Sequence, residues 1–219
     1  MKTAYKLTDS KMRTYNGFQW ELGKWYKKTG EGKFCSSNWL HFYNDPLVGL
    51  FLNPAHISIK NPRLFRAEVE GKFLNDNKTK CGYSRARLIE ELPVPQISNV
   101  QRVRFAILCA KEVYKEKEWN DWADNWLSGK DRTEKSAASA AYTAESVTYA
   151  ADSAASTAKS AESTFYATKS AMIAFYETKS TMFAFYVAES AENAVESASI
   201  TTKSKKIDLV GIAQKAMEE

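Results

Sequence analysis

Cysteine and histidine, the residues most often used as nucleophile and base, are scarce in this chain. It has three cysteines and two histidines, and only Cys35 and His41 lie close enough in sequence to suggest a nucleophile beside its base. Such a site also needs a third group that orients the base, and a buried structural cysteine is the commoner arrangement. We therefore expect no catalytic role for this pair.

Paired carboxylates are the second feature that could carry chemistry. Glu68 and Glu70 would lie on one face of a predicted strand, as acid–base or metal chemistry requires, but a solvated strand face has the same pattern. The sequence contains no phosphate-binding glycine loop, no dinucleotide fingerprint, no HExxH and no GxSxG. It favours a non-enzymatic protein with no metal or cofactor, and a small enzyme of an unrecognised type is one alternative.

Arginines close to aromatic residues suggest another alternative function. Arg85 and Arg87 share a predicted strand face, and Arg102 and Arg104 lie near a predicted helix start. Such residues can hold phosphates while aromatic rings stack on bases, which indicates nucleic-acid or nucleotide binding. The same composition suits a protein interface that binds an acidic partner.

The composition of the chain changes near residue 130. All six tryptophans, all five prolines and eight of the nine glycines precede that point. Residues 1–130 carry 22 Lys and Arg against 14 Asp and Glu, a net charge of +8, whereas residues 131–219 carry 9 against 12, a net charge of −3. We therefore expect two different structural parts.

The first part has the pattern of an α+β domain over residues 1–130. Residues that alternate between apolar and polar predict short strands at 17–21, 24–27, 33–35, 63–71 and 83–89, within a strand-rich stretch 1–95. Asp45 followed by Pro46 predicts a short helix through Phe51. Apolar spacings of three and four predict a helical stretch over 98–128 that includes Trp119, Trp122 and Trp126.

The second part is a repeat rich in Ala, Ser and Thr, predicted to be helical over residues 131–204 and followed by a short helix within 205–219. No Gly or Pro occurs from Lys130 through Val210. Because a helix of this composition is marginal in water, it must pack in a hairpin, a bundle or a coiled coil, and a β-solenoid is the non-helical alternative. The predicted partner-binding side chains are Phe165, Tyr166, Met172, Phe175, Tyr176, Phe183, Phe185 and Tyr186.

Four segments of the first part resemble a domain that recurs in phage and prophage proteins of uncharacterised function. They are GFQWELGKWY at 17–26, KFCSSNW at 33–39, NDPL at 44–47 and FRAEVEG at 65–71, and the resemblance covers about residues 1–95. Proteins with this domain often continue into Ser/Ala-rich repeats, similar to KSAAS at 135–139 here. Where they tend to place Gly and His after the cysteine segment, this chain has NWLH at 38–41.

The resemblance implies a phage-encoded interaction protein that binds a host protein and inhibits a host defence factor. The repeat implies that it also associates with itself as a homo-oligomer. Its longest apolar stretch, about residues 181–188, is far shorter than the roughly 20 residues that span a bilayer. With no apolar secretion signal at the N-terminus and few cysteines, we expect the host cytoplasm and no membrane contact.

Overall fold

A long antiparallel hairpin formed by β4 (Arg63–Asn75) and β5 (Cys81–Leu92) lies at the centre of the N-terminal part of the molecule. Both strands alternate apolar and charged residues, as a sheet with one buried face requires. The computed structural model describes residues 1–75, 79–133, 135–140 and 207–218. It divides the chain into two compact units, Met1–Gln96 and Ile97–Glu219.

The division after Gln96 falls inside the predicted 1–130 domain, where the sequence predicts the change from strands to helices. Most of the predicted 131–204 repeat lies outside the described residues; of its described part, 135–140 are helical. The helical repeat, and its hairpin and solenoid alternatives, therefore stay predictions. The predicted partner-binding side chains all lie outside the described residues: Phe165, Tyr166, Met172, Phe175, Tyr176, Phe183, Phe185 and Tyr186.

Three further strands complete the sheet of the N-terminal unit, and all pairs are antiparallel. β1 (Lys2–Thr8) pairs with β4, while β2 (Tyr26–Lys27) and β3 (Leu40–Phe42) pair with successive stretches of β5. Tyr5 of β1 and Tyr43, which follows β3, exchange two backbone hydrogen bonds of 2.8 and 2.9 Å. The sheet therefore curls until its two ends meet, which removes much of the free edge of β1.

The curled sheet has an apolar inner face and a charged outer face. Ala4, Ala67 and Val69 are completely buried on the inner face, together with Trp20 and Phe42, which are 1% exposed. On the outer face, cross-strand ion pairs join β4 to β5: Glu68–Arg87, Glu70–Arg85 and Arg66–Glu90. This division follows from the two-residue period of a strand.

The α+β class and the strands predicted at 63–71 and 83–89 are confirmed, but two other strand predictions are wrong. Residues 17–21 form one isolated bridge, Arg13 to Gln19, and residues 33–35 form no strand, with Phe34 and Cys35 in bends. Their aromatic residues alternate with polar ones because these loops are half-buried over the end of the sheet, not because they pair as strands. β1, which the alternation pattern does not reveal, takes the edge position beside β4.

The predicted helix at Pro46 is confirmed as α1 (Pro46–His56), which continues past Phe51. The Asp45 side chain accepts a hydrogen bond of 3.0 Å from the Val48 backbone N–H, so it caps the helix as the sequence predicts. α1 packs against β1, and Phe51 is completely buried.

The C-terminal unit contains α2 (Asn99–Val113), α3 (Lys117–Leu127) and α4 (Leu209–Met217). Ser98 and Gln101 form a reciprocal capping box at the start of α2. The helical stretch predicted over 98–128 is two helices, because Tyr114 is extended (φ −100°, ψ 124°) and ends α2. Trp119 and Trp126 are completely buried in a core with residues of α2, as their spacing indicates. None of the described helices is long and apolar enough to cross a membrane.

Candidate ligand-binding cavity

A cavity of about 590 Å³ opens in the N-terminal unit. It lies where the inner face of β1 and β3 meets the 3-10 turn Tyr15–Gly17, the loop before β3 and the end of α1. Pockets of this volume hold organic ligands of drug size. The described lining residues are Lys6, Leu7, Thr14, Tyr15, Asn16, Phe18, Trp20, Lys28, Cys35, Ser36, Ser37, Trp39, Leu40, His41, Phe42, Tyr43, His56, Ile57 and Lys80.

Lys6 occupies a position on β1 where the sheet otherwise buries apolar side chains. It pairs with Phe65 in register, two residues from the pair formed by Ala4 and Ala67, so all four lie on the inner face. Its Nζ donates a hydrogen bond of 2.5 Å to the backbone carbonyl of His41. That is the one hydrogen bond of the Lys6 ammonium within the described structure, whereas an ammonium has three donors.

Aromatic rings surround the Lys6 ammonium. Its Nζ lies 5.2 Å from the centroid of the Phe42 ring and 5.6 Å from that of the Trp20 ring. Burial among these groups lowers the pKa of Lys6 from its usual 10.5 to about 8. The side chain is thus still charged at neutral pH but has lost much of its hydration.

The rings form one connected cluster with a second ammonium beside it. The Phe18 centroid lies 5.2 Å from that of Trp20, and the Trp20 centroid lies 5.9 Å from that of Phe42, both in edge-to-face arrangements. The Nζ of Lys28 lies 5.2 Å from the centroid of Phe18. The Trp20 indole donates to the hydroxyl of Thr14 at 3.2 Å, which holds its ring in place.

Two histidines also line the cavity. The ring of His41 donates from Nε2 to the backbone carbonyl of Phe34 at 2.7 Å. Nδ1 of His56 lies 2.9 Å from the hydroxyl of Tyr43, and the two rings are stacked with an interplanar angle of 5°. These contacts fix both imidazole rings, so the cavity wall is preorganised on this side.

The charged side chains that line the cavity are all basic in the described structure. Its described lining includes three lysines and two histidines but no Asp or Glu. Lys6 and Lys28 form no ion pair with a carboxylate of the described chain. Along the outer face of the sheet, by contrast, Arg66 and Arg87 each bind a glutamate at 2.6 Å. The cavity therefore concentrates positive charge in a partly dehydrated environment.

The structure separates the four arginines of the nucleic-acid alternative. Arg85 pairs with Glu70 and Arg87 with Glu68 on the outer face of the sheet, and their guanidinium groups lie 4.1 and 4.9 Å from the Trp25 ring centroid. Glu68 and Glu70, the candidate acid pair, are thus engaged in ion pairs.

The other two arginines belong to the C-terminal unit. Arg104 donates to the backbone carbonyl of Leu127 at 2.8 Å and to that of Lys215 at 3.3 Å, so it satisfies acceptors at two helix ends. Arg102 is half-buried, and burial lowers its pKa. Phosphate binding by these residues stays a prediction.

Cys35 and His41 do line the same cavity, although Nε2 of His41 is engaged with the Phe34 carbonyl. The three cysteines are thiols: Cys35 is exposed, Cys81 and Cys109 are buried, and burial raises the pKa of Cys109. Within the described ranges, no group of three or more His, Cys, Asp or Glu side chains is arranged to hold a metal ion.

Sequence reasoning missed Lys6 and Lys28, the two lysines that contact the ring cluster. The signal at Lys6 is weak, since residues 2–8 alternate without a clear apolar face. Only the pairing of Lys6 with Phe65 shows that this lysine faces the interior.

Residues 2–100 match the family model of a domain of unknown function, DUF7666. The match covers the whole N-terminal unit apart from Met1, and therefore every described residue that lines the cavity. The prediction that this region is an uncharacterised domain is confirmed, while its phage origin stays a prediction. No curated protein and no solved structure matches the chain.

Proposed function

We propose that this protein is a non-enzymatic, phage-encoded interaction protein whose N-terminal unit binds an anionic ligand in the cavity around Lys6. One observation carries the proposal. The cavity wall presents five basic side chains and, in its described lining, no carboxylate, and Lys6 occupies a strand position that faces the core.

Lys6 is largely dehydrated before any ligand arrives. Most of the desolvation of its ammonium has already occurred on folding, which is why its pKa is lowered. An anion that enters the cavity gains the attraction of a poorly screened charge, and only the anion still has to lose its hydration. It also accepts hydrogen bonds from the two Nζ–H donors that the described chain leaves open.

A purely structural role for Lys6 is the competing interpretation. A lysine that only fills space is easily replaced by an apolar residue of the same length, such as methionine, and such a replacement removes the desolvation cost. The structural interpretation therefore gives no reason for positive charge to gather around the cavity, whereas anion binding does.

The proposal is tested with three ring compounds that differ in charge: benzoate, benzamide and benzamidine. Selective ¹⁵N labelling of the tryptophan indoles in the full chain gives the readout. Trp20 and Trp39 line the cavity, while Trp25, Trp119, Trp122 and Trp126 are not part of the lining and serve as internal references. We expect benzoate alone to shift the Trp20 and Trp39 signals in a saturable way.

Two variants make the test specific. Lys6→Met should abolish the benzoate response, and Lys11→Met, which changes an exposed lysine outside the cavity lining, should preserve it. Equal responses to all three compounds, or no response to benzoate at any concentration up to its solubility, would overturn the proposal.

The biological setting is the second part of the proposal. The resemblance of residues 1–95 to phage and prophage domains supports a host protein as the partner, with inhibition of a defence factor as the outcome. Self-association is supported by the composition of the 131–204 repeat. Neither part depends on the cavity, so each needs its own test.

A further inference from the structure

The cavity is much larger than a simple anion needs. A volume of about 590 Å³ corresponds to the space of roughly twenty water molecules in the liquid. An isolated anion at Lys6 would leave most of that space filled with water against aromatic rings, and the burial of those rings would contribute nothing to binding. The ligand must therefore carry an organic body that covers the rings.

The walls favour a flat body. Six of the described lining residues are Phe, Trp or Tyr, against three that are Leu or Ile. Aromatic faces and edges bind best to another planar ring, either offset-stacked or edge-to-face. An aliphatic chain would gain area burial here but not the ring geometry.

Tyr15, an exposed residue of the cavity lining, is available to stack on a planar ring of the ligand. Tyr15 is 77% exposed and forms no ring contact in the described structure, although it contributes to the cavity lining. The turn that presents it has two residues with positive φ, Asn16 at 55° and Gly17 at 72°. Asn16 holds a conformation that L-residues rarely adopt, so the outward placement of Tyr15 is built into the turn.

The distribution of charge favours a phosphate over a carboxylate. A phosphate monoester carries a charge of about −1.5 to −2 at neutral pH, which matches at least two ammonium groups. Lys6 and Lys28 contact neighbouring rings of the same cluster, and no arginine is among the described lining residues. Lysine ammonium groups bind phosphate as compact point charges, so two of them suit a dianion better than a carboxylate of charge −1.

From this juxtaposition of ammonium groups, a displayed tyrosine and a ring-lined space, we infer that the ligand is a phosphate monoester on a flat heteroaromatic body, in the class of nucleoside monophosphates. The inference rests on the proposed anion binding and specifies what the anion is attached to. Tyr15 stacks on the base, and Lys6 and Lys28 bind the phosphate.

The test measures the affinity of the full chain for AMP, adenosine, ribose 5-phosphate, phenyl phosphate and benzoate by the tryptophan indole shifts. We expect AMP to bind at least about tenfold more tightly than either adenosine or ribose 5-phosphate, because each lacks one half of the recognised chemistry. Equal affinity for AMP and adenosine, or for AMP and ribose 5-phosphate, would contradict the inference.

The remaining arms separate the possible outcomes. If phenyl phosphate binds as tightly as AMP, the body recognised is a simple aryl group and the nucleotide assignment fails. If benzoate shifts Trp20 and Trp39 while no phosphate monoester binds more tightly than benzoate, the inference fails but the proposed anion binding stands. If benzoate has no effect either, both fail.

Positions that are exposed or only partly buried provide variants that leave the core unchanged. Tyr15→Ser should weaken AMP several-fold with little change for ribose 5-phosphate, and Leu22→Ser, at a residue that is 56% exposed outside the cavity lining, should change neither. Lys28→Gln should weaken AMP and ribose 5-phosphate alike, while the neighbouring Lys27→Gln should have no effect. An unchanged AMP affinity in both Tyr15→Ser and Lys28→Gln would overturn the inference.

Discussion

Lys6 and Phe65 are directly paired across β1 and β4, so the ammonium group shares the inner face of the sheet with a core phenylalanine. A charged side chain at such a position lowers the stability of the fold unless it is compensated. The compensation within the described structure is one hydrogen bond to the His41 carbonyl and contacts with two ring faces. The hydrogen bond and ring contacts only partly offset the desolvation of the Lys6 ammonium. We interpret this uncompensated charge as the basis of anion binding.

The first prediction is that Lys6→Met stabilises the N-terminal unit while it removes anion binding. A fall in pKa from 10.5 to about 8 corresponds to about 3 kcal/mol against the charged form, of which cavity water screens a part. Loss of the hydrogen bond to the His41 carbonyl destabilises the variant by about 1 kcal/mol. We expect the free energy of unfolding at pH 7 to rise by on the order of 1 kcal/mol, measured by urea denaturation.

The exposed substitution Lys11→Met is the matched control and should leave the unfolding midpoint within error of the unchanged protein. A strongly destabilised Lys6→Met variant would mean that the ammonium stabilises the core. It would refute the hypothesis that Lys6 lowers the stability of the fold and is kept for anion binding.

The second prediction concerns the pH dependence of anion binding. The folded-state pKa of Lys6 is about 8, so the ammonium loses its proton as the pH rises through that value. Benzoate stays ionised throughout this range, and its affinity should therefore be nearly constant up to about pH 7 and fall progressively above pH 8. Dissociation constants from pH 6.5 to 9.5 check this, and a flat profile would exclude Lys6 as the binding cation.

The same group affects stability with a definite sign. Because the pKa of Lys6 is lowered in the folded state, the unfolded chain binds more protons between about pH 8 and 10.5, and the contribution of Lys6 to stability rises across that window. Lys6→Met should lack this rise. The comparison of the two proteins from pH 7.5 to 10.5 isolates the effect, because every other group is shared.

The third prediction concerns Gly71, which lies at a register shift in the β4–β5 hairpin. Gly71 has φ +83°, lies at the register shift between Glu70 and Phe73, and a Cβ there would lie 2.3 Å from the Ser84 hydroxyl oxygen. That oxygen accepts a hydrogen bond from the Lys72 backbone N–H. Gly71→Ala should therefore cost on the order of 2–3 kcal/mol.

Gly23→Ala is the control for backbone strain alone. Gly23 has φ +78°, but a Cβ at this position would meet no atom within 4 Å, so its substitution should cost only about 1 kcal/mol. Thermal unfolding of the two variants side by side measures the difference. Equal destabilisation would show that the close approach of Ser84 has no energetic weight.

The sequence predicted the long strands and α1 because their signals are local. Alternation along 63–71 and the cap at Asp45 depend on neighbours in the chain, and both predictions are confirmed. The strand predicted at 17–21 failed because alternation reports half-burial, which a loop over the end of a sheet also has. The break at Tyr114 was missed because spacings of three and four resume in α3. Its local signal is the step of five residues from Tyr114 to Trp119, which moves the apolar positions to the opposite side of a continuous helix.

The cavity could not be predicted from the sequence because it is built by contacts between distant residues. Lys6 and His41 are separated by 35 positions, and the bond between them depends on curling of the sheet until Tyr5 meets Tyr43. A lysine in an alternating segment is ordinarily a solvated residue. Only the register of β1 against β4 places this one inside.

The fourth prediction separates cavity binding from the arginine alternative. The double variant Arg85→Gln and Arg87→Gln removes two cations that already bind Glu70 and Glu68, so we expect no change in benzoate or AMP affinity. If the chain instead binds single-stranded nucleic acid through these residues, oligonucleotide affinity should fall and its dependence on log salt should become shallower by about 1 to 2. Fluorescence anisotropy with a labelled oligonucleotide at several salt concentrations distinguishes the two.

The fifth prediction addresses the repeat. Alanine favours helix, but serine and threonine are weaker helix formers, so a helix of this mixed composition is marginal alone in water. The aromatic residues at the centre of the repeat should supply the missing burial. Phe175→Asp combined with Phe183→Asp places two charges among the predicted partner-binding side chains and should dissociate the oligomer, while the cavity still binds benzoate. Light scattering measures the mass of both proteins, and circular dichroism measures their helix content. Unchanged assembly and helicity in the double variant would mean that these phenylalanines are not buried, and self-association through the predicted partner-binding side chains would be refuted.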